Sequence, residues 1–460
     1  MDGDLALLGI LLYLLAQFAI GAWISRGLRS EEDYLLGGRR LGYGLATLSI
    51  FATWFGAETC IGAAGRVWGE GLAAAAAEPV GYGLCILFMA GVFAAPLYRR
   101  RLTTLADLFR QRYGAGIERF AVLLMVPTSL LWAAAQIRAF GQLVAASSSL
   151  ETDLAIGVAA VVVIGYTALG GLLADAWTDL IQGIAVLLGL GVLMALAVDE
   201  LGGASAALAA VEPSRLQPFG SEASWLASLD HFATPVIGSV VAQELISRVL
   251  ASRSVTVARS SAFLAALLYL AVGFIPVFLG LVGGPLVADI ESPDHFLATL
   301  ARRLLPGGLY VIFTGAVLSA ILSTVDTTLL VAGSLLSHNL VVPLLGGVDE
   351  RRKLRLARSF VVLSGLVAWG LAFTAEAVYD LVYQASSFGS AGLFTILVFG
   401  LFTRFGGAAA AAAALLAGVI VWAWAYYMAG TEAPFLLSLA AAAAAYAGVG
   451  LLARRSPGSA

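Results

Sequence analysis

Charged residues are scarce in this chain of 460 residues. Asp, Glu, Lys and Arg together make up 12% of it, and Lys353 is the only lysine, whereas a typical soluble domain is about 25% charged. Hydrophobic residues reach 60%, and the mean hydropathy is +0.93. This composition excludes a soluble enzyme, a disordered protein and a nucleic-acid binder, and it predicts an integral membrane protein.

Cysteine and histidine are also scarce. The two cysteines, Cys60 and Cys85, lie in apolar stretches and are too few to staple a chain of this size. The histidines occur singly at His231, His295 and His338. The sequence contains no His/Cys/Asp cluster with metal-ligand spacing and no nucleophile–base pattern. It therefore does not predict an enzyme.

Long apolar runs, by contrast, fill the chain. A transmembrane helix needs about 20 mostly apolar residues, and thirteen segments qualify, which predicts an all-α integral membrane protein with about 13 transmembrane helices. These segments lie near 4–25, 42–68, 72–98, 118–148, 153–174, 177–198, 225–247, 260–284, 307–335, 358–379, 382–403, 406–428 and 434–453.

The basic residues indicate the orientation in the membrane. Most of the 26 Lys and Arg fall in every second connecting segment, and cytoplasmic loops carry the excess of positive charge. The pattern predicts a multi-pass protein of the cell membrane with its N-terminus outside and its C-terminus in the cytoplasm. The predicted inner segments lie at Arg26–Arg40, Arg99–Arg119, Arg248–Arg259, Arg351–Arg358 and Arg404 and at the C-terminus.

Two of the apolar segments are interrupted. The second carries Glu58 among several glycines, and the seventh has Pro235 and Gly238 in its middle. Interrupted segments at corresponding places in two halves indicate the binding site of a transporter. Because the two are five spans apart, we expect two inverted five-helix repeats with broken helices, at 42–200 and 201–404. An extra helix with its inner loop (1–41) precedes them, and two peripheral helices (405–460) follow.

Four motifs, in this order along the chain, resemble the sodium:solute symporter family. They are DYLLGGRRLG (33–42), TTLADLFRQRYG (103–114), YTALGGLLADAWTDLIQG (166–183) and SAILSTVDTTLLVAGSLLSHNL (319–340). Shorter stretches, including ATWFGAE (52–58), look most like the choline-transporter branch.

The resemblance implies a LeuT-like fold and a function. The chain is expected to be a sodium-coupled secondary active transporter that imports a small organic solute by alternating access. The alternative is a membrane sensor of the same fold that works with a separate signalling partner. The expected partners are the solute and the lipid bilayer, and neither nucleic acid nor an obligate protein partner is expected.

One sodium site is predicted at a helix face beside a helix break. Ala320, Ser323 and Thr324 stand at i, i+3 and i+4 and offer one carbonyl and two hydroxyls on one face. Ala52 and Phe55 lie in the broken second segment, where unwinding frees carbonyls for sodium. These five positions match the sodium site of the family that the chain resembles.

A second cation site, for Na+ or H+, is an open hypothesis. The resemblance implies that Asp179, Ser323, Asp326 and Thr327 form it. In the alternative, Asp179 begins a helix near the interface and Asp326 pairs with a buried arginine. Asp175 departs from the usual apolar residue of the family, and the sequence gives it no role beyond its proximity to Asp179.

The substrate is expected beside the break in the second segment. Two tryptophans together with carboxylates would suit a cation through cation–π attraction, whereas the alternative is that the tryptophans only pack. In the choline branch Trp54 and Trp132 match cage residues, but Ala242 replaces a third cage tryptophan. Arg138 could receive a substrate carboxylate or neutralise Glu58 or Glu244. The predicted substrate residues are Trp54, Glu58, Trp132, Gln136, Gln243, Glu244 and Gln384.

Overall fold

The computed structural model describes residues 12–455 except 13–14, 17, 148–149, 218–223, 288–289, 291 and 374–377. Every named element in the described part of the chain is a helix. The one extended contact is an isolated bridge between Leu41 and Ser252. The all-helical fold class is thereby confirmed.

In the described part of the first half of the chain, we number eight helices after a helical stretch at 18–25. In chain order they are α1 (Glu31–Leu36), α2 (Tyr43–Trp54), α3 (Glu58–Glu70), α4 (Leu72–Arg99), α5 (Leu105–Tyr113), α6 (Ala115–Ser147), α7 (Thr152–Glu200) and α8 (Ala204–Ala209).

In the described part of the second half, we number ten. They are α9 (Trp225–Ala233), α10 (Gln243–Ala251), α11 (Val255–Val282), α12 (Phe296–Leu304), α13 (Gly307–Leu345), α14 (Glu350–Ala372), α15 (Val378–Ser387), α16 (Ser390–Phe402), α17 (Ala408–Met428) and α18 (Pro434–Arg455).

Side-chain caps fix where several of these helices begin. Ser30 caps α1 and accepts a hydrogen bond from the Asp33 amide, while the Asp33 carboxylate accepts one from the Ser30 amide. Thr104 and Asp107 form the same reciprocal box at α5. The Ser254 hydroxyl caps α11. Each cap accepts hydrogen bonds from backbone amides that have no partner in the first turn of a helix. The cap therefore fixes the residue at which the helix begins.

Four breaks interrupt the described helices, and one of them is at Glu78 in α4, where φ is −115° and ψ is 122°. α2 and α3 meet at 58°. Between α9 and α10 the chain passes through a widened turn at Thr234–Gly238 and a tight one at Ser239–Val241. Within α7, Gly171 has φ +66°, and a Cβ there would lie 2.7 Å from the Tyr34 ring. Only glycine tolerates both the backbone angle and the close approach.

Most of the predicted spans are present as continuous helices. Nine described helices are long and apolar enough to cross a membrane, and the bent α2–α3 pair makes ten. The predicted seventh span is the broken α9–α10 segment, and the fifth is the shorter stretch Thr152–Gly165. Half of the first, 4–25, lies outside the described residues. The count of thirteen and the repeat boundaries stay predictions.

The core lies where broken and continuous helices meet. α13 packs against α2, α6, α7 and α14, and α2 also packs against α7, α10 and α11. α17 and α18 pair with each other and with α16 at one side of the bundle. This arrangement places the α2–α3 break against the middle of α13, inside the protein.

Candidate functional site

The break between α2 and α3 is built on Gly56. Phe55, just before it, leaves helical geometry with φ −93° and ψ 65°. A Cβ on Gly56 would lie 2.8 Å from Thr324 Oγ1 and 2.5 Å from Glu58 Oε2. Glycine therefore permits α13 and the Glu58 carboxylate to approach the broken backbone this closely.

The residues predicted to bind the first sodium are all buried where α2 meets α13. The Thr324 hydroxyl donates to the Thr53 carbonyl at 2.9 Å and to the Ala320 carbonyl at 3.2 Å. The Ser323 hydroxyl donates to Asp179. A hydroxyl oxygen that donates its proton keeps lone pairs for a cation. The full set is Ala52, Phe55, Ala320, Ser323 and Thr324.

A charged cluster lies next to this face. The Arg248 side chain on α10 is 0% exposed and forms an ion pair with Asp175 on α7. Its Nη2 atom lies 3.5 Å from Asp179 Oδ2. One guanidinium therefore stands between two buried carboxylates, and it binds Asp175 more closely than Asp179. The structure places Arg248 inside the core rather than in the predicted inner loop.

Hydroxyls connect this cluster to α2 and α13. Ser49 donates to Asp179 Oδ2 at 2.5 Å, and Arg248 Nε donates to Ser49 at 3.3 Å. The Thr327 hydroxyl donates to Asp175 Oδ2 at 3.1 Å and also receives a hydrogen bond from Arg248. Asp179 thus accepts hydrogen bonds from both α2 and α13, beside the predicted sodium site.

Asp326 occupies a different place. Its Oδ1 atom accepts a hydrogen bond from Thr167 at 2.7 Å, on the other side of the Gly171 break from Asp179. The four residues predicted for a second cation are therefore divided. Asp179, Ser323 and Thr327 belong to the Arg248 cluster, and Asp326 faces the first segment of α7.

Glu58 is held by two side chains of α6. Its Oε1 atom accepts from Trp132 Nε1 at 3.1 Å and its Oε2 atom from Gln136 Nε2 at 2.8 Å. Gln136 also accepts from the Ala57 amide at 2.9 Å, which ties α6 to the break. The Glu58 side chain is buried, and every described side-chain bond to it comes from a donor. These two donors hold the Glu58 carboxyl group in place beside the break.

The two predicted cage tryptophans touch each other beside Glu58. Trp54 and Trp132 pack edge to face, with ring centroids 5.6 Å apart and planes at 88°. Tyr82 on α4 packs against Trp54 in the same way at 5.7 Å. Trp54 Nε1 has no hydrogen-bond partner among the described residues. The structure thus brings together four of the predicted substrate residues, Trp54, Glu58, Trp132 and Gln136.

A small cavity of about 30 Å³ lies between α6, the α9–α10 break and the region of α15 and α16. Trp132 and Glu244 line it, and Ser129 donates to Glu244 Oε1 at 2.6 Å. Ala242, where the choline branch has a tryptophan, lines it as well. The cavity offers an aromatic face, a carboxylate and several hydroxyls, which together suit a polar cation.

One predicted substrate residue, Gln243, has another described role. Gln243 lines the cavity, but its Oε1 atom accepts from the Leu105 amide at 2.7 Å and so caps α5. Gln384 is half-buried, next to cavity-lining Ala385. Arg138 Nη1 donates to the Ala372 carbonyl at 3.1 Å, so the described bond of this arginine goes to neither glutamate.

The model of the sodium:solute symporter family matches residues 34–440, which is most of the chain. The chain belongs to the sodium:solute symporter family. It is therefore a multi-pass membrane transporter, a symporter coupled to Na+, and not an enzyme.

Curated relatives and solved structures agree with this assignment. The high affinity choline transporter 1 of Homo sapiens is 27% identical over 431 residues, which cover 88% of this symporter and 73% of the relative. The sodium/proline symporter of Haemophilus influenzae is 25% identical over 450 residues, which cover 92% of this symporter and 88% of the relative. A substrate-bound, outward-open Na+-coupled sialic acid symporter has a TM-score of 0.87, with 16% identity and 97% coverage of both chains. At that identity the likeness shows the fold alone.

Sequence reasoning missed one further buried carboxylate near Glu58 and Thr59, that of Glu78. Glu78 on α4 accepts hydrogen bonds from Tyr269 and, at 3.2 Å, from Thr59. Its only signal in the sequence is a lone acid before Pro79 in an apolar run. Because an unpaired charge in a membrane is costly, that isolated acid could have been named as a functional candidate.

Proposed function

We propose that this symporter imports a small organic cation together with sodium by alternating access. The observation that carries the proposal is Glu58, a buried carboxylate at a broken helix, held between Trp132 and Gln136 beside Trp54. A buried carboxylate favours an opposite charge nearby, and tryptophan faces attract cations. The aromatic and acidic groups therefore favour an amine over a sugar or a monocarboxylate.

The cavity next to this cluster supports the same class of solute. The wall of the cavity contains the carboxylate of Glu244, and the Ser129 hydroxyl orients that carboxylate. Ala242 leaves room where the choline branch carries a tryptophan, so we propose an amine of a shape different from choline. The serine hydroxyls in the wall can donate hydrogen bonds to polar groups of that amine or accept hydrogen bonds from them.

For the coupling ion, we propose one sodium at the five buried positions around Ser323 and Thr324. A second Na+ or H+ is proposed at Asp179. Arg248 lies closer to Asp175 than to Asp179, so the Asp179 carboxylate can turn toward a cation beside Ser323. Asp326 is the alternative proton carrier through its contact with Thr167. Each sodium charge that enters gains about 2.3 kcal/mol per 100 mV of membrane potential.

Alternating access would open contacts at the arginine-rich end of the bundle. The Gln243–Leu105 bond joins the second broken segment to α5, and Arg39 donates to the Leu250 carbonyl at 3.1 Å and the Leu102 carbonyl at 2.8 Å. These bonds connect the proposed repeats, 42–200 and 201–404, on that side. We propose that they break when the solute is released.

We also propose that this end faces the cytoplasm of the cell membrane, with the N-terminus outside. In this orientation Arg352 and Ser214 lie at opposite ends of the bundle, and both residues are exposed. Each is replaced by cysteine in a separate variant. After the buried Cys60 and Cys85 are replaced by alanine, a membrane-impermeant maleimide should label intact cells only at position 214. Labelling at position 352 instead would reverse the orientation.

The proposed solute class is tested by thermal unfolding of purified protein with choline, betaine, proline and larger quaternary amines, with and without Na+. We expect an amine to stabilise the protein only when sodium is present. In Glu58→Gln the affinity for that amine should fall about 10- to 100-fold, since a hydrogen bond to a charged group is worth about 1.5–3 kcal/mol.

Glu118→Gln is the matched control, because Glu118 is also buried but bonds to Asn339 away from the cavity. Unchanged amine binding in Glu58→Gln would remove the carboxylate from recognition. An amine that binds without being transported in vesicles would favour the sensor function instead.

A further inference from the structure

An open groove of about 910 Å³ lies between α4 and the first turns of α11, away from the site described above. Arg99 and Arg259 stand in its wall, together with the hydroxyl residues Thr256 and Ser260. The rest of the wall, including Phe263, is mainly apolar. The groove therefore has a basic end and an apolar end.

The dimensions of the groove correspond to one membrane leaflet. Arg99 ends α4, and the lining residue Leu87 precedes it by twelve positions. At 1.5 Å per residue this span is about 18 Å, close to half of a hydrocarbon core of about 30 Å. The arginines thus lie at the depth of lipid headgroups when the apolar wall lies among acyl chains.

The two arginines have no described acidic partner. Arg99 and Arg259 are exposed and form no ion pair among the residues that the structure describes, and the described lining of the groove contains no carboxylate. Arginine binds phosphate oxygens through two parallel hydrogen bonds. A basic pocket between membrane helices at this depth matches an anionic lipid headgroup.

The apolar wall has room for an acyl chain. A Cβ on Gly91 would meet no atom within 4 Å, and Phe263 and Leu264 are 50% and 48% exposed. We propose that the groove binds an anionic phospholipid, with its phosphate between Arg99 and Arg259 and an acyl chain along Gly91 and Phe263. Each arginine should contribute about a fivefold preference for an anionic over a zwitterionic headgroup.

Native mass spectrometry of the full-length protein with phosphatidylglycerol and phosphatidylcholine tests this proposal. We expect wild type to retain phosphatidylglycerol with a preference of about 25-fold. Arg99→Gln/Arg259→Gln should abolish the preference, whereas Arg351→Gln/Arg352→Gln, which changes two exposed arginines at the start of α14, should leave it intact. Gly91→Phe, which fills the groove without changing charge, should weaken retention of the lipid.

Three results would overturn the proposal. The first is equal retention of both lipids by wild type, and the second is a preference that survives in Arg99→Gln/Arg259→Gln. The third is displacement of phosphatidylglycerol by millimolar glycerol 1-phosphate, because the site would then recognise a soluble phosphate and not a lipid.

Discussion

Replacing Arg248 with methionine is expected to destabilise the symporter by roughly 3–5 kcal/mol. Methionine fills similar space but leaves Asp175 and Asp179 without the guanidinium that stands between them. A buried carboxylate that loses its partner keeps the full cost of desolvation. The apparent unfolding temperature in detergent, followed by tryptophan fluorescence, should therefore fall markedly.

Removing the carboxylates should reverse much of this loss. Arg248→Met combined with Asp175→Asn and Asp179→Asn replaces the charges with neutral groups that still hydrogen bond to Ser49 and Thr327. Arg352→Met, at an exposed arginine, should unfold like wild type. If Arg248→Met alone unfolds like Arg352→Met, the cluster does not stabilise the fold.

The double variant Ser323→Ala/Thr324→Ala is expected to lose sodium binding. Two of about five oxygens disappear, and we take each contact between an oxygen and the ion to be as strong as a hydrogen bond to a charged group, about 1.5–3 kcal/mol. The affinity for ²²Na+ should fall about 100-fold or more, because the carbonyls of Ala52, Phe55 and Ala320 do not replace the lost hydroxyls.

A control for that variant lies on the same helix. Thr328→Ala/Ser334→Ala removes two buried hydroxyls that donate only to backbone carbonyls of α13 in the described bonds. It should bind sodium like wild type. Equal sodium affinity in the two double variants would place the site elsewhere.

Much of the fold could be predicted because membrane helices leave simple patterns. The length of the apolar runs in the sequence predicts nine helices that the described structure contains. Backbone chemistry located the breaks, since a helix that holds Gly56 beside Glu58, or Pro235 before Gly238, does not stay regular in an apolar environment. Trp54 and Glu58 lie on opposite sides of the α2–α3 break, and each contacts Trp132, so their i, i+4 spacing on a single helix does not explain the cluster.

The charge pairing could not be predicted in the same way. Arg248 meets Asp175 and Asp179 across sequence separations of 73 and 69 residues, and its own neighbourhood looks like an inner loop rich in arginine. Hydropathy does not distinguish a loop arginine from one buried against two acids. The unusual Asp175 was the available signal, because an extra carboxylate inside a membrane needs a partner.

The contact of Asp326 with Thr167 shows the same limit. Asp326 and Ser323 are one turn apart in sequence, yet their described bonds go to opposite sides of the Gly171 break in α7. Proximity along one helix did not reveal which neighbouring helix each side chain faces. That information comes from packing, which depends on residues far apart in the chain.

The central claim is that a sodium gradient drives an organic cation across the membrane. The most direct measurement is uptake, into proteoliposomes, of the amine that stabilises the protein in the thermal screen. With Na+ outside and K+ inside, wild type should accumulate the amine above its external concentration, whereas Ser323→Ala/Thr324→Ala should not. Uptake to the same level with K+ on both sides would contradict sodium coupling.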